Sequence, residues 1–272
     1  MELQGKTAIV TGGGRGIGEG ISRVLAREGA NVVVMGRHAE EVRSVSEAIR
    51  AGGGSALPIV ADVTDWDSLV AMAAEAVRHF GGVDILVNNA GIEGPPRMLA
   101  DLPPEQWDQV LGVNLRGVFL CCKAVLPAMT ARGRGRIVNI GSIAGRRMTF
   151  FGSVDYTVSK YGVEGLTQHL AWELAEHRIT VNSICPGGVV TPLMEEHISV
   201  AHREMVTKRL VPLGRMCTME EIGEAVSFLA SDRAQMITGQ SLAVDGGVLT
   251  GYGEDLRPVI RKRMAEAGGA HG

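Results

Sequence analysis

A tyrosine and a lysine, Tyr156 and Lys160, stand four residues apart in a segment with a helical pattern. In a helix this spacing brings both side chains to one face, where the lysine charge stabilises a phenolate. A tyrosine whose pKa falls below its usual value of about 10 exchanges a proton more readily near neutral pH. Ser142 follows an apolar run upstream and adds a hydroxyl that can orient a substrate oxygen. Together the three residues predict a proton-transfer site, although each alone is also typical of an ordinary surface or strand-end position.

A glycine-rich turn follows the first apolar run of the chain. Its candidate phosphate-contacting residues are Gly12, Gly14, Arg15, Gly16, Ile17 and Gly18. The spacing is Gly12-x-x-x-Gly16-x-Gly18, which differs from the strict G-x-G-x-x-G fingerprint. Glycine lets the backbone approach a pyrophosphate closely, and the following helix offers free N–H groups and its positive end. Tight strand-to-helix turns also need glycine for structural reasons alone, so the turn by itself is weak evidence of nucleotide binding.

Short apolar runs alternate with helical patterns and predict the elements that would position these residues. The expected strands are Thr7–Thr11, Asn31–Met35, Ala56–Val60, Val83–Asn88, Gly135–Ile140, Thr180–Ile184 and Ser241–Val244. The expected helices are Gly16–Glu28, Ala39–Ala51, Asp65–Phe80, Pro104–Met129 and Asp155–Glu176. Strands that are apolar throughout are typical of a parallel sheet covered on both faces. The pattern predicts an α/β fold, a doubly wound parallel sheet of the Rossmann type with about seven strands and helices on both faces.

Composition narrows the class of protein. The chain has 272 residues, 37 of them glycine, and a net charge of −3. No block of like charge is longer than Arg261-Lys262-Arg263, so neither nucleic acid nor an anionic membrane is expected as a partner. We found neither a signal-peptide pattern nor an apolar run near the ~20 residues of a membrane span, and a cytoplasmic protein is expected. Four scattered cysteines and seven histidines predict no metal site.

Residues 1–250 are expected to form one dinucleotide-binding and catalytic domain, with two additions. The segment 191–215 interrupts the alternation of strands and helices after the sixth strand, and is interpreted either as a substrate lid or as a surface helix with one apolar face. The tail 251–272 carries an apolar stripe at helical spacing. It is interpreted either as a frayed terminal helix or as a segment that docks on its own or a neighbouring subunit and helps close the pocket.

Residues 5 to 250 resemble the single-domain branch of the short-chain dehydrogenase/reductase family, because several motifs of that family occur here in the same order. The glycine turn with Thr11 looks like the cofactor turn of that family, and Asp62-Val63 like its adenine contact. The run Asn88-Asn89-Ala90-Gly91 resembles the end of its fourth strand, and Pro186-Gly187 with Val189 and Thr191 its nicotinamide-side loop. Positions matching its catalytic tetrad are Asn114, Ser142, Tyr156 and Lys160.

The resemblance implies hydride transfer between a nicotinamide and a carbonyl carbon, with Tyr156 as acid in reduction and base in oxidation. Lys160 would lower the pKa of Tyr156 and bind the nicotinamide ribose, and Asn114 would hold a water that links Lys160 to solvent. On the residues alone, Asn114 is also explained as a locally bonded helix kink, since asparagine is a poor helix former. A homotetramer or homodimer is implied, with the helices of Pro104–Met129 and Asp155–Glu176 at the interfaces.

The end of the second strand decides which nicotinamide cofactor is expected. NAD-binding proteins of this fold place an acid there to bind the ribose hydroxyls, whereas Arg37 follows this strand and no acid appears before Glu40. A guanidinium binds a 2′-phosphate through a charge-assisted fork, and Arg15 in the glycine turn could add a second. NADP(H) is therefore expected over NAD(H), which remains possible if both arginines are merely solvated.

The expected substrate is a small carbonyl compound or alcohol. Candidate pocket walls are Glu93, Gly94, Arg146 to Phe151, Gly188, Val189, Leu193 and Met194. Met148, Phe150 and Phe151 favour an apolar substrate, unless they only pack beneath a loop. The pair Arg146 and Arg147 could meet an anionic group or an acyl-carrier surface, or be merely solvated. The leading hypothesis is an NADP(H)-dependent carbonyl reductase or alcohol dehydrogenase. The alternatives are a 3-oxoacyl thioester reductase and a catalytically silent nicotinamide-binding regulator.

Overall fold

The computed structural model describes residues 1–148, 152–192, 194, 199–251, 257 and 260–262. Its sheet has seven strands: β1 (Thr7–Thr11), β2 (Asn31–Gly36), β3 (Ser55–Val60), β4 (Ile85–Asn88), β5 (Gly135–Ile140), β6 (Ile179–Pro186) and β7 (Ser241–Val244). Their order is β3-β2-β1-β4-β5-β6-β7, and every pair is parallel. The predicted doubly wound parallel sheet is confirmed.

Helices cover both faces of this sheet. In the described residues they are α1 (Gly16–Arg27), α2 (Ala39–Ala51), α3 (Trp66–Phe80), α4 (Pro104–Leu111), α5 (Gly117–Arg132), α6 (Val154–Glu173), α7 (Val200–Leu210) and α8 (Met219–Ala230). One apolar core joins β1 and β2 to α1, α2 and α8, while the other joins the opposite sheet face to α3, α5 and α6. Fully buried side chains such as Ile21, Leu25 and Leu69 each stabilise the fold by about 1.5–3 kcal/mol.

The close packing of α1 on α8 depends on two glycines. A Cβ on Gly20 would lie 2.5 Å from Cβ of Met219, and a Cβ on Gly223 would lie 2.7 Å from Cγ2 of Val24. Any larger residue at either position would push the helices apart. Since α1 begins directly at the glycine-rich turn, this contact also fixes the position of the turn against the sheet.

The strand order reverses between β1 and β4, which are neighbours although β2 and β3 come between them in the chain. Helices that leave the two strands go to opposite faces of the sheet, and a crevice opens beyond their carboxyl ends. The glycine turn follows β1 and the Asn89-Ala90-Gly91 segment follows β4. Both candidate cofactor segments therefore lie at this crevice.

The helix predicted over Pro104–Met129 is interrupted. A π-helical turn, Gly112–Arg116, separates α4 from α5 and widens the helix by one residue at Asn114. By length and composition alone, Pro104–Arg132 is the one described helical stretch apolar enough to cross a membrane, and half of its most apolar window is buried inside the protein. A helix packed in the core of a globular domain has the same composition, so this finding is weak evidence of a membrane span.

The segment 191–215 contains α7, Val200–Leu210, and returns to the sheet through a bridge between Val189 and Cys217. Within it, Leu193 and residues 195–198 lie outside the described residues. Most of the tail 251–272 also lies outside them, including residues 252–256 and 263–272. One contact of the tail is described, in which Nη2 of Arg257 donates to the backbone oxygen of Pro212 at 3.0 Å.

Candidate active site

The turn between β1 and α1 has a backbone that only glycine adopts easily. Gly12 and Gly16 have φ values of +63° and +52°. A Cβ on Gly18 would lie 2.0 Å from the backbone oxygen of Gly12, which excludes any side chain there. Gly14 packs against α2, because its Cβ would lie 3.0 Å from the backbone of Glu41. The glycine spacing thus follows from turn geometry and from packing.

A hydrogen-bonded clamp ties this turn to the end of β4. The backbone N–H groups of Asn89 and Ala90 both donate to Oγ1 of Thr11 at 3.0 Å. The Nδ2 group of Asn89 donates to the backbone oxygens of Thr11 at 3.0 Å and Gly12 at 3.2 Å. Gly91 follows, where a Cβ would lie 3.3 Å from Oδ1 of Asn114. The two cofactor segments are therefore one rigid unit.

The amino end of α1 is suited to hold an anion. Arg15 precedes the helix with an extended backbone and no side chain caps the first turn. Free N–H groups at a helix start, together with the helix dipole, attract a phosphate. Thr191 stands opposite Gly16, whose Cβ would be 3.8 Å from the threonine methyl group, and Ile17 packs against the first core. These residues fit the pyrophosphate of a dinucleotide.

Two arginines flank the far end of this crevice. Nη1 of Arg15 lies 3.7 Å from the carboxylate of Glu41, and Nη1 of Arg37 lies 3.9 Å from that of Asp62. Both guanidinium groups are more than half exposed. Exposed pairs of this length contribute little, so both arginines stay available to a bound anion.

The residues expected on the adenine side follow β3. Oδ1 of Asp62 accepts hydrogen bonds of 2.8 Å from the backbone N–H and the hydroxyl of Thr64. Val63 is buried and touches α5, since a Cβ on Gly117 would lie 2.9 Å from its Cγ2. The Asp62 carboxylate thus stays at the rim of the crevice while Val63 anchors the loop.

Ser142, Tyr156 and Lys160 lie together beyond the carboxyl end of β5. Ser142 lies close enough to the Tyr156 hydroxyl to lower the pKa of Tyr156, and Oγ of Ser142 accepts from the backbone N–H of Ala144 at 3.0 Å. Nζ of Lys160 lies 5.6 Å from the centre of the Tyr156 ring and donates to the backbone oxygen of Ile140 at 2.9 Å. Two hydroxyls and one ammonium therefore face a single space next to the crevice.

The electrostatics of this group differ from the expectation. Burial raises the pKa of Tyr156, the carboxylate of Glu93 adds to the rise, and the Ser142 hydrogen bond opposes it. Burial also lowers the pKa of Lys160 from 10.5 to about 8, against the attraction of Cys185, Glu93 and Glu164. The pKa of Tyr156 is therefore raised overall, and not lowered as the helical spacing predicts, because burial and the Glu93 carboxylate both disfavour the phenolate.

Asn114 lies in the π-helical turn and is buried. Its Oδ1 accepts from the N–H of Ile92 at 2.8 Å, and its Nδ2 donates to the Ile92 oxygen at 2.8 Å and to Oγ of Ser159 at 3.1 Å. The side chain thus bonds across the fold to the loop after β4. The interpretation as a locally bonded kink is wrong, since its partners are distant in sequence.

The loop after β6 closes the crevice on the other side. Pro186 ends β6, and the N–H of Gly187 donates to the Val244 oxygen at 3.0 Å. A Cβ on Gly187 would lie 2.9 Å from Cα of Asp245, so this position needs glycine. Val189 is buried, and Oγ1 of Thr191 accepts from the N–H of Met194 at 3.3 Å.

The candidate pocket walls are described in part. Glu93 and Gly94 follow β4, Met148 is exposed, and Arg146 donates to the Ser241 oxygen at 3.2 Å from the surface. Phe150, Phe151 and Leu193 lie outside the described residues.

A polar cluster behind Lys160 was missed by the sequence analysis. Oε1 of Glu164 accepts from the Ser183 hydroxyl at 2.7 Å and from the Cys185 thiol at 3.3 Å, and Sγ of Cys185 lies 3.2 Å from Oγ of Ser241. Glu164 is one helical turn beyond Lys160 on α6, so the spacing of Tyr156, Lys160 and Glu164 carried the signal.

All four cysteines are buried, and burial raises the pKa of each thiol. They are therefore thiols at neutral pH, not the thiolates that bind metals. Across the part of the chain that the structure describes, no group of three or more histidine, cysteine or acidic side chains is placed to bind a metal.

Comparisons with known proteins agree with this geometry. A family model described as enoyl-(acyl carrier protein) reductase matches residues 12–249. The chain is 39% identical over 254 residues to D-beta-hydroxybutyrate dehydrogenase of Rhizobium meliloti, covering 89% of this chain and 98% of that protein. It is 40% identical over 244 residues to 3-oxoacyl-[acyl-carrier-protein] reductase FabG of Staphylococcus aureus, with the same coverage.

Solved structures also match along most of the chain. The crystal structure of 3-oxoacyl-[acyl-carrier protein] reductase from Brucella melitensis has a TM-score of 0.85 at 32% identity, covering 91% of this chain and 92% of that one. The structure of a short-chain type dehydrogenase/reductase from Mycobacterium marinum has a TM-score of 0.85 at 36% identity, covering 91% and 96%.

Proposed function

This chain belongs to the short-chain dehydrogenase/reductase family and is an oxidoreductase acting on CH–OH or carbonyl groups, and we propose that it is an NADP(H)-dependent enzyme that interconverts a secondary alcohol and a ketone. One observation carries the proposal. Ser142, Tyr156 and Lys160 converge at the carboxyl end of β5, beside a crevice whose helix terminus fits a pyrophosphate.

In the proposed reaction the protein supplies the proton and holds the substrate oxygen. When bound, the nicotinamide donates or accepts the hydride and, in its oxidised form, adds a positive charge. Tyr156 gives its hydroxyl proton to the carbonyl oxygen in reduction and takes a proton from the alcohol in oxidation. Its raised pKa keeps it protonated and ready as the acid. Ser142 donates a hydrogen bond to the same oxygen and fixes its position.

Lys160 and Asn114 are proposed to connect Tyr156 with solvent. The Lys160 ammonium is buried next to Tyr156, so it can stabilise the phenolate left after proton transfer and bind the nicotinamide ribose. Both Nδ2 hydrogens of Asn114 are already used. A water held by Asn114 would therefore bind to the backbone carbonyl or to the remaining lone pair of Oδ1.

The cofactor preference is proposed from the end of β2. Arg37 follows Gly36 directly, and both Arg37 and Arg15 have exposed guanidinium groups at the crevice. A 2′-phosphate would offer both a stronger partner than their distant carboxylates. The cofactor-binding set proposed is the one named above from Gly12 to Thr191, including Tyr156 and Lys160.

We expect Arg37→Gln to lower kcat/KM for NADPH by about 10- to 100-fold while changing that for NADH less than about threefold, because the fork to the 2′-phosphate is lost. Steady-state kinetics with each cofactor measure the effect. The control is Arg43→Gln on α2, which removes an exposed guanidinium from a surface pair with Glu40. A wild-type preference for NADH, or equal losses with both cofactors, would contradict the proposal.

A 3-oxoacyl thioester reductase is the second candidate, favoured by the similarity to two proteins named as such reductases. Consumption of NADPH with a panel of simple ketones, β-ketoesters and acyl thioesters separates the two. Efficient turnover of thioesters alone would support the second candidate. No turnover across the panel would support a silent nicotinamide-binding regulator.

Self-association is proposed through α4 to α6. An open groove on this face is lined mainly by apolar side chains: Trp107, Leu111, Leu115, Phe119 and Leu166, with Asp108, Gly112 and Arg116. An exposed apolar face of this kind is typical of a subunit interface. A homotetramer or homodimer is therefore proposed. We also propose, from the sequence alone, a cytoplasmic location, 191–215 as a substrate lid and a tail docked on its own or a neighbouring subunit.

We expect Phe119→Glu to shift the protein to a smaller assembly, since it places a charge at the centre of the proposed interface. Sedimentation velocity measures the mass. Val60→Glu is the control, because Val60 is an exposed apolar residue at the edge strand β3. Unchanged mass in Phe119→Glu would rule out this face as the interface.

A further inference from the structure

Glu93 lies in a short loop that is clamped at both ends. On one side, Asn114 holds both backbone groups of Ile92 at 2.8 Å. On the other, the backbone oxygen of Pro95 accepts from Nε2 of Gln106 at 3.0 Å and from Oγ of Ser153 at 3.3 Å. Two residues remain between the clamps, so the backbone position of Glu93 is fixed relative to α4 and α6.

The loop also has no room to move towards α4. A Cβ on Gly94 would lie 2.3 Å from Nε2 of Gln106, so the backbone packs directly on that side chain. Gln106 in turn donates to the carboxylate of Asp155 at 3.0 Å, next to Tyr156. The same contacts that fix the loop therefore fix it to the helix that carries the catalytic tyrosine.

The carboxylate of Glu93 acts on both proton-transfer groups. It raises the pKa of Tyr156 and that of Lys160, and Lys160 lowers the pKa of Glu93 in return. The residue is open to solvent, yet the surrounding protein raises the pKa of its carboxyl. Glu93 is thus exposed on a loop that is held against the helix of Tyr156, and its carboxylate is within electrostatic reach of the groups that face the substrate oxygen.

Unlike the other carboxylate near Lys160, Glu93 has no hydrogen bond or ion pair within the described part of the chain. Glu164, behind Lys160, is bonded to Ser183 and Cys185. Lys160 is the only cation in the described residues whose charge shifts the pKa of Glu93. Its carboxylate oxygens are therefore free to accept a hydrogen bond from a ligand.

We propose that Glu93 is a specificity-determining residue, which accepts a hydrogen bond from a substrate hydroxyl near the reacting carbonyl and excludes substrates with a carboxylate there. The inference rests on the proposed function, since it places the substrate carbonyl at Tyr156. The enzyme therefore takes neutral hydroxylated ketones in preference to short keto acids. A ligand carboxylate placed close to the Glu93 carboxylate would be repelled, and we expect this repulsion to weaken binding about tenfold or more.

Two ligands with the same four-carbon skeleton test this directly: 4-hydroxy-2-butanone, which has a hydroxyl, and acetoacetate, which has a carboxylate. Their Kd values are measured by calorimetry at pH 8 on the protein loaded with NADP⁺, a complex that cannot reduce either ligand. In the wild type we expect acetoacetate to bind at least about tenfold more weakly than 4-hydroxy-2-butanone. In Glu93→Gln we expect the ratio of the Kd for acetoacetate to the Kd for 4-hydroxy-2-butanone to fall at least about tenfold.

Two control variants separate local charge from other effects. Glu93→Asp keeps the charge and should keep the preference for the hydroxyl ligand. Glu105→Gln removes an exposed carboxylate from the neighbouring helix α4 and should leave the ratio unchanged. Damage to the fold would weaken the binding of both ligands together. The ratio of their Kd values therefore reports on charge selection.

An unchanged ratio in Glu93→Gln, no binding of 4-hydroxy-2-butanone to the wild type, or wild-type binding of acetoacetate as tight as that of the hydroxyl ligand would overturn the inference. Kinetics with NADPH distinguish this failure from failure of the proposed function. Reduction of the hydroxy ketone with no charge selection refutes only the role of Glu93. Charge-selective binding with no reduction of any carbonyl in the panel refutes the proposed function alone.

Discussion

Tyr156→Phe is expected to lower kcat for carbonyl reduction by about 10²- to 10⁴-fold, while the Kd for NADPH changes less than about threefold. The variant lacks the proton donor that, next to Ser142, acts on the substrate oxygen. The ring itself remains, so packing around it is preserved. Rapid-mixing kinetics and NADPH fluorescence titration measure the two quantities separately.

Tyr161→Phe is the matched control. Tyr161 lies on the same helix, but its side chain is 48% exposed and is not among the proposed site residues. The Tyr161→Phe variant loses the same hydroxyl group, and we expect no effect on its kcat. Retention of more than about a tenth of wild-type turnover in Tyr156→Phe would refute Tyr156 as the acid.

Lys160→Met is expected to lower turnover by about 10²- to 10³-fold, because no charge remains to stabilise the phenolate of Tyr156. The same substitution is expected to stabilise the folded chain at pH 7. Burial lowers the pKa of Lys160 from 10.5 to about 8, which corresponds to a cost of about 3 kcal/mol for the buried charge. Loss of the hydrogen bond to the Ile140 oxygen reduces this gain in stability by about 1 kcal/mol.

The stability change has a defined pH dependence. The unfolded chain binds more protons at Lys160 than the folded chain between about pH 8 and 10.5, so wild-type stability rises with pH in that window. Below about pH 8 Lys160 is charged in the folded chain, and the buried charge lowers wild-type stability by its full amount. Thermal unfolding should therefore show Lys160→Met melting roughly 3–6 °C higher at pH 7, with the difference shrinking towards pH 10.5. A lower Tm at pH 7, or a difference independent of pH, would contradict the burial of a charged Lys160.

The sheet was predictable because its strands are buried on both faces and therefore appear as apolar runs. Gly135–Ile140 and Ser241–Val244 have the same bounds in the sequence prediction and in the structure. β6 is longer than predicted, because Ile179 pairs with Gly135 of β5 and Cys185 and Pro186 pair with β7. Pairing with a neighbouring strand is invisible in a local pattern.

The site was predictable where it depends on spacing along one element. Tyr156 and Lys160 are brought together by one helix, and the glycine turn by one strand-to-helix junction. The π-helical turn at Asn114 was not predictable, because its bonds to Ile92 and Ser159 depend on distant parts of the chain.

Electrostatics were the least predictable part. The pKa of Tyr156 depends on how deeply the fold buries it and on the carboxylate of Glu93. Glu93 follows a different strand from Ser142, and only the sheet order brings the loops after β4 and β5 side by side. A reading of the helix alone therefore gave the wrong direction for the shift.

Hydride transfer itself is tested most directly with NADPH that carries deuterium at C4 of the nicotinamide. The two stereoisomers are supplied separately to the wild-type enzyme with the carbonyl panel, and the products are analysed by mass spectrometry. The account predicts an alcohol that is one mass unit heavier with one stereoisomer and unlabelled with the other, and at least about 100-fold slower formation of it by Tyr156→Phe. Absence of any deuterated alcohol from the wild type would contradict it.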